Sequence, residues 1–165
     1  MGRGRPRRPE TAGVGRFLLW LALTATVLAA PVWVRQDCGG GLSIEFPKKP
    51  KVSADGRSYS ADSREWSYSF DSSAVADGPA TLKKLPDQLK RLANDRHGKL
   101  VSSRKVSKGP FTGLEFRNDG RMDRLEGQWL VGEGRLVQVN CGHRIGDFPD
   151  ARRFLDSLKA KSSSN

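Results

Sequence analysis

Trp66-Ser67-Tyr68-Ser69-Phe70 alternates a large aromatic with a small hydroxyl side chain over five positions. Side chains of a strand point to opposite faces with period two, so this stretch is a strand with one face buried. It needs a sheet to hold it, and the flanking sequence supplies one. Upstream, Asp55-Gly56 is a hairpin turn signal, with Val52 before it and Tyr59 after. Further upstream Leu42, Ile44 and Phe46 alternate with Ser43 and Glu45. Pro47 and Pro50, bracketing Lys48 and Lys49, stop that strand because proline gives no ladder donor.

Downstream, a polar linker from Asp71 to Pro79 leads to leucines at 82, 85, 89 and 92, the spacing of one apolar helix stripe. The reading that fits Pro86 best starts the helix near Leu85 with Pro86 in its first turn, leaving Thr81 to Leu85 irregular. Strands then return at Leu100 to Val106 and Phe111 to Phe116, separated by Lys108-Gly109-Pro110. After the hairpin signal Asn118-Asp119-Gly120, Leu125, Trp129 and Val131 share a face. Gly132-Glu133-Gly134 turns the chain into Leu136 to Cys141, where Val137, Val139 and Cys141 share another. Phe148, Ala151, Phe154, Leu155 and Leu158 trace a second helix, with Pro149 suited to its first turn, Asp147 to its N-cap, and Lys159 and Lys161 to its C-terminal end.

These elements predict one α+β domain over 42–160, an antiparallel sheet of about six or seven strands packed with two helices. The serine-rich end, 161–165, reads as a disordered tail. A chain of 165 residues holds one ordinary core, and 36% hydrophobic with 28% charged residues suits a folded chain better than a disordered one.

Part of the formal charge of +11 comes from the N-terminus. Residues 1–16 form a basic tail with Arg3, Arg5, Arg7, Arg8 and Arg16 against Glu10. Without those six, 29 Lys and Arg fall to 24 and 18 Asp and Glu to 17, a net of +7 with both signs interspersed. The tail precedes Phe17 to Val34, eighteen residues with no charge. Such a run is either a cleaved signal peptide, with Val27 and Ala29 at the small-residue positions before the cut, or a short membrane anchor. Basic residues stay on the cytoplasmic side, so both readings place the domain outside the cytoplasm, secreted or anchored by that single segment. Residues 35–41, ending in Gly39-Gly40-Gly41, read as a flexible hinge.

Few residues carry chemistry. Cys38 and Cys141 are the only cysteines, and an oxidising compartment permits a disulfide between them. Cys141 also shares a face with two valines and reads equally as a small buried apolar group. The histidines are His97 and His143, and Cys141-Gly142-His143 sets a thiol and an imidazole on one strand face with nothing to fix their distance or orient the ring. No cysteine, histidine and carboxylate set has compact metal-ligand spacing, so no metal and no cofactor is expected. The pairs Asp119 with Asp123 and Asp147 with Asp150 resemble turn and helix-start chemistry. The triglycine precedes a strand and lacks the lysine of a phosphate loop. Trp66, Tyr68, Phe70 and Trp129 fit a core better than a platform for nucleobases, and Lys83, Lys84, Lys90 and Arg91 read as a solvated helix face.

The opening Leu42-Ser43-Ile44-Glu45-Phe46-Pro47-Lys48-Lys49-Pro50, the strand Arg135-Leu136-Val137-Gln138-Val139 and the closing Arg153-Phe154-Leu155-Asp156-Ser157-Leu158-Lys159 resemble a group of bacterial domains. These are small, secreted or membrane-anchored, of unknown function, and related in fold to the PsbP and Mog1 proteins. The resemblance spans 42–160 and implies an α/β/α sandwich around an antiparallel sheet, with no residue-level active site to carry over. The function expected is that of a non-enzymatic extracytoplasmic accessory or protein-binding domain, its partner an envelope protein. A cell-envelope hydrolase or thiol-dependent enzyme is the first alternative. A binder of nucleic acid or another anionic polymer is the second.

Overall fold

The structure is a computed structural model and describes residues 32–144 and 148–161. The chain runs β1 (Val34–Asp37), β2 (Leu42–Phe46), β3 (Lys51–Val52), β4 (Ser58–Asp62), β5 (Trp66–Ala74), α1 (Gly78–Asp95), β6 (Lys99–Lys108), β7 (Phe111–Asp119), β8 (Asp123–Gly132), β9 (Arg135–Arg144), α2 (Pro149–Asp156) and β10 (Lys159–Ala160). Seven strands make an antiparallel sheet in the order β3-β4-β5-β9-β8-β7-β6, and β1-β2-β10 make a separate three-stranded sheet. The α+β class is thus observed, with two helices among the described residues.

The large sheet is buried on both faces, and alternate residues of one strand serve different cores. On β8, Leu130 joins one cluster while Trp129 and Val131 join the other. On β9, Val137, Val139 and Cys141 join the first and Leu136 packs on the second. The second cluster lies under α1, whose Leu85 and Leu89 are fully buried against Phe116, Trp129 and Val131. The first is closed by α2 through Ala151, Phe154 and Leu155, and by β2 through Leu42, Ile44 and Phe46. The layers are therefore α1, the seven-stranded sheet, then α2 with the small sheet.

Four expectations need correction. Leu42–Phe46 leaves the main sheet, because its two partners are strands the sequence hides: β1 on one side and β10 on the other. Residues 35–41 are a hairpin rather than a hinge. Gly39, Gly40 and Gly41 all have positive φ (77°, 56° and 73°), Cys38 N donates to Leu42 O at 2.9 Å, and the Asp37 carboxylate accepts from Gly39 N at 2.8 Å. Only glycine takes three such conformations in a row without steric penalty, which is why the turn needs this sequence. Trp33 and Val34, at the end of the apolar run, accordingly belong to the folded domain: Val34 pairs with Phe46 and Trp33 packs edge-on against Tyr68.

The third correction is the first helix. β5 extends through Ala74, pairing with Arg135, so the polar residues from Asp71 onward are strand and the linker shrinks to 75–77. Asp77 caps α1, its carboxylate accepting from Ala80 N at 2.8 Å, and Pro79 takes the first turn. Pro86 lies inside the helix with its ring exposed, so its missing donor and bulk face solvent while Leu85 and Leu89 hold the helix to the sheet. The fourth is the tail of α2. Lys159 pairs with Ser43 in β10, and Lys161 N donates to Gly41 O at 2.9 Å, closing the small sheet. Asp147 lies outside the described residues; the N-cap position of α2 is Phe148, without a side-chain hydrogen bond. Among the described residues no helix is long and apolar enough to cross a membrane.

Candidate functional site

The hairpin β7–β8 builds a ladder of charge on the α2 side of the sheet. Its register sets Glu115 opposite Gln128, Arg117 opposite Glu126 and Asp119 opposite Arg124, so three successive same-face pairs are polar and two are of opposite sign, of which Asp119–Arg124 closes as an ion pair. Opposite charges directly across an antiparallel pair contribute roughly 0.2–1 kcal/mol each. Next on β9 come Cys141, opposite Glu126, and His143, opposite Arg124. Apolar cover from α2 and the small sheet stops short of this half of the face.

Glu115 is the hub. Its side chain is 13% exposed, and four nitrogens from three residues surround the carboxylate. Arg104 Nε and Nη2 donate to Oε1 at 2.9 and 2.6 Å, Arg152 Nη1 donates to the same oxygen at 2.8 Å, and Gln128 Nε2 donates to Oε2 at 2.8 Å. Burial alone would raise its pKa; the hydrogen bonds from Gln128, Arg104 and Arg152 outweigh that and hold the carboxyl below its ordinary range. Arg124 grips Asp119 through Nε at 2.7 Å and Nη2 at 3.2 Å, which likewise lowers the Asp119 pKa.

Beside this network lies a cleft of about 210 Å³ lined by Ser102, Arg104, Glu115, Arg117, Glu126 and Leu155 among others. Three buried polar atoms on this face have no hydrogen-bond partner: Arg117 Nε, Gln128 Oε1 and His143 Nε2. A buried polar group left unpaired costs about 1–3 kcal/mol, so such atoms mark where a bound polar group adds most. The buried amide of Asn118 is also unpaired, but by strand alternation it faces α1, away from the cleft.

The sequence-predicted residues fare differently. Cys141 and His143 do share a face, as their spacing requires, yet they are not assembled for nucleophilic attack. His143 is almost fully buried, Nδ1 lies 2.7 Å from the Arg144 carbonyl, Nε2 faces Glu126 Oε1 at 3.5 Å, and the ring stacks on Phe148 at 4.6 Å. Cys141 is fully buried and hydrogen-bonded to the Tyr68 hydroxyl. Burial, with the Glu126 charge adding to it, pushes its thiol up to about 12, the opposite of an activated cysteine. Cys38 and Cys141, which the sequence permits to pair, are both free thiols and both buried. They sit in different parts of one core, Cys38 at the β1–β2 hairpin with Sγ 3.8 Å from the Gln36 carbonyl, Cys141 on β9 beside Tyr68.

His97 is exposed just past α1 with φ 51°, a backbone position rather than a ligand position. Asp119 and Asp123 answer to different arginines, Arg124 and Arg96. Tyr68, Phe70 and Trp129 are core residues, and Trp66 is half-buried. Lys83, Lys84, Lys90 and Arg91 are exposed on α1. Among the described residues no group of three or more His, Cys, Asp and Glu is arranged to hold a metal ion.

The residues that sequence reasoning passed over are Glu115, Arg117, Arg124, Glu126 and Gln128. The signal was present: counting outward in step from Asn118-Asp119-Gly120 pairs these positions with complementary charges. No protein-family model matches the chain, and no curated protein matches its sequence.

Proposed function

We propose that this chain is a non-enzymatic extracytoplasmic binding domain, exported by its N-terminal apolar run and engaging an envelope protein through the polar cleft beside α2. The carrying observation is that cleft and the charge ladder it opens on, where Gln128 Oε1 has no hydrogen-bond partner and Arg117 Nε and His143 Nε2 meet carboxylates only at 3.7 and 3.5 Å, beyond good hydrogen-bond geometry. Export rests on the arginines that precede Phe17 to Val34, since basic residues are held on the cytoplasmic side. A binding role rather than catalysis is supported by thiols that stay protonated at neutral pH. The relationship to the PsbP/Mog1 group is supported by helices on opposite faces of an antiparallel sheet, an architecture that by itself names no partner.

The test is purification of the full chain from native envelopes under gentle detergent. One protein recovered in stoichiometric amount is expected with the parent chain and with Lys83→Glu on the far side of the sheet. Ser102→Trp, which plugs the cleft from an exposed position, loses it. Equal recovery with Ser102→Trp, or no partner with the parent, overturns the reading.

A further inference from the structure

Among the described residues, one end of the large sheet shares its side of the domain with the start of β1. The register places Asp62 and Trp66, Arg144, Asp123, Asp119 and Lys99 at that end of their strands, and Val34, paired with Phe46, is at the same end of the small sheet. Lys48 confirms the alignment: its ammonium donates to the Asp62 carbonyl and lies 5.3 Å over the Trp66 ring. Two of the largest apolar exposures among the described residues, Met122 at 81% and Val32 at 79%, are both here. Trp33 and Trp66, half-buried at this end, pack against the core.

The same end is basic. Lys48, Lys49, Arg64, Arg121 and Arg144 are exposed and make no ion pair among the described residues, against the exposed Asp62, Glu65 and Asp95, while Asp119 and Asp123 are paired with Arg124 and Arg96. Apolar tips with tryptophans at their base and lysine and arginine around them are the composition that settles at a bilayer interface.

Chain geometry supplies the rest. Because Trp33 and Val34 belong to the domain, only sixteen apolar residues, 17–32, precede it. As a helix they reach about 24 Å, short of the roughly 30 Å hydrocarbon core. A short span draws its flanking residues into the headgroup layer, and β1 begins at Val34, two positions after that run in the sequence.

We propose that this end of the sheet is a lipid-docking surface that rests on anionic headgroups, with Met122 and Val32 inserted and the five cations on phosphate. The proposal rests on the export reading above in its membrane-tethered form. It fixes the domain's orientation and leaves the cleft beside α2 facing sideways, open to a partner.

The test uses the full chain reconstituted into phosphatidylcholine vesicles with and without phosphatidylglycerol. A fluorophore is attached at Met122→Cys or, as a control at the opposite end, at Ala54→Cys; the native thiols are buried and protonated and do not compete. Docking predicts that a headgroup-linked quencher reaches the label at 122 when phosphatidylglycerol is present and never the label at 54. Each cation removed, as in Lys49→Gln or Arg121→Gln, lowers the docked-to-free ratio about fivefold. Alkaline carbonate extraction separates the two ideas. If the chain stays in the bilayer while both labels remain unquenched, tethering stands and docking is overturned. If carbonate releases it and the labels are unquenched, both fall. Release with quenching at 122 retains docking as a peripheral contact, and crosslinking of 122 to a protein in native envelopes without lipid quenching assigns the surface to that protein instead.

Discussion

The two faces of the seven-stranded sheet are each covered by a helix, yet they achieve burial by opposite means. Under α1 the contact is mainly apolar and carries no charge: Leu85 and Leu89 meet Phe116, Trp129 and Val131, Trp129 Nε1 donates to Asn140 Oδ1 at 3.0 Å, and the neutral amide of Asn118 is buried on the same face. Under α2 an apolar half, with Tyr68, Phe70, Val139 and Phe154, adjoins a half made of Glu115, Arg117, Glu126, Gln128 and His143. The apolar face is specified by volume and carries no group that titrates. The charged half responds to pH and salt and keeps unsatisfied donor and acceptor capacity. Stability and recognition are thereby assigned to different faces of one sheet.

The largest expected effect comes from the α1 face. Leu89→Ala removes a fully buried side chain and should lower the unfolding free energy by about 2–5 kcal/mol in urea titration. No residue of that cluster ionises, so the loss should be the same at neutral and mildly acidic pH. A loss that changes with pH would break the division between the faces.

Glu115→Gln probes the other face and should be smaller, about 1.5–3 kcal/mol at neutral pH, the worth of hydrogen bonds to a charged group. The folded carboxyl is held below its ordinary value, so its contribution is complete above the unfolded pKa of about 4.3 and is lost as pH falls through the folded value. The gap between variant and parent should therefore be flat from pH 7 down to about 5 and close at lower pH. A gap that persists in strong acid would mean that Glu115 acts through shape rather than charge.

The same contrast explains what could be read in advance. The leucine stripe of α1 and the alternation of β5 were legible because period and hydrophobicity agree. The start of α1 was not, since a proline at 86 ordinarily ends a helix and only the packing of Leu85 and Leu89 on either side overrides it. β1 and β10 were hidden for a different reason: each is short, and each is a strand only because β2 lies beside it. The charged ladder was passed over. Alternation says which residues share a face but not whether a later helix will cover it, and α2 arrives some twenty residues after β8 through Arg152, which reaches Glu115.

The smallest expected effect tests whether the hub or its exposed spokes matter. Arg104 gives Glu115 two hydrogen bonds, but its side chain is 64% exposed on edge strand β6, where water competes for the same donors. Exposed ion pairs contribute about 0–1 kcal/mol, and Arg104→Ala should fall in that range. Arg152 and Gln128 remain on the carboxylate when Arg104 is lost, so the buried charge is never left bare. The deficit should shrink further in about 1 M salt, where the screening length falls to roughly 3 Å. Adding Arg152→Ala to Arg104→Ala should then cost more than the two single changes together, because only the double variant leaves Glu115 with Gln128 alone. Strict additivity would mean the arginines act as separate surface charges, and the α2 face would owe its charge ladder to β7 and β8 without help from the helix above it.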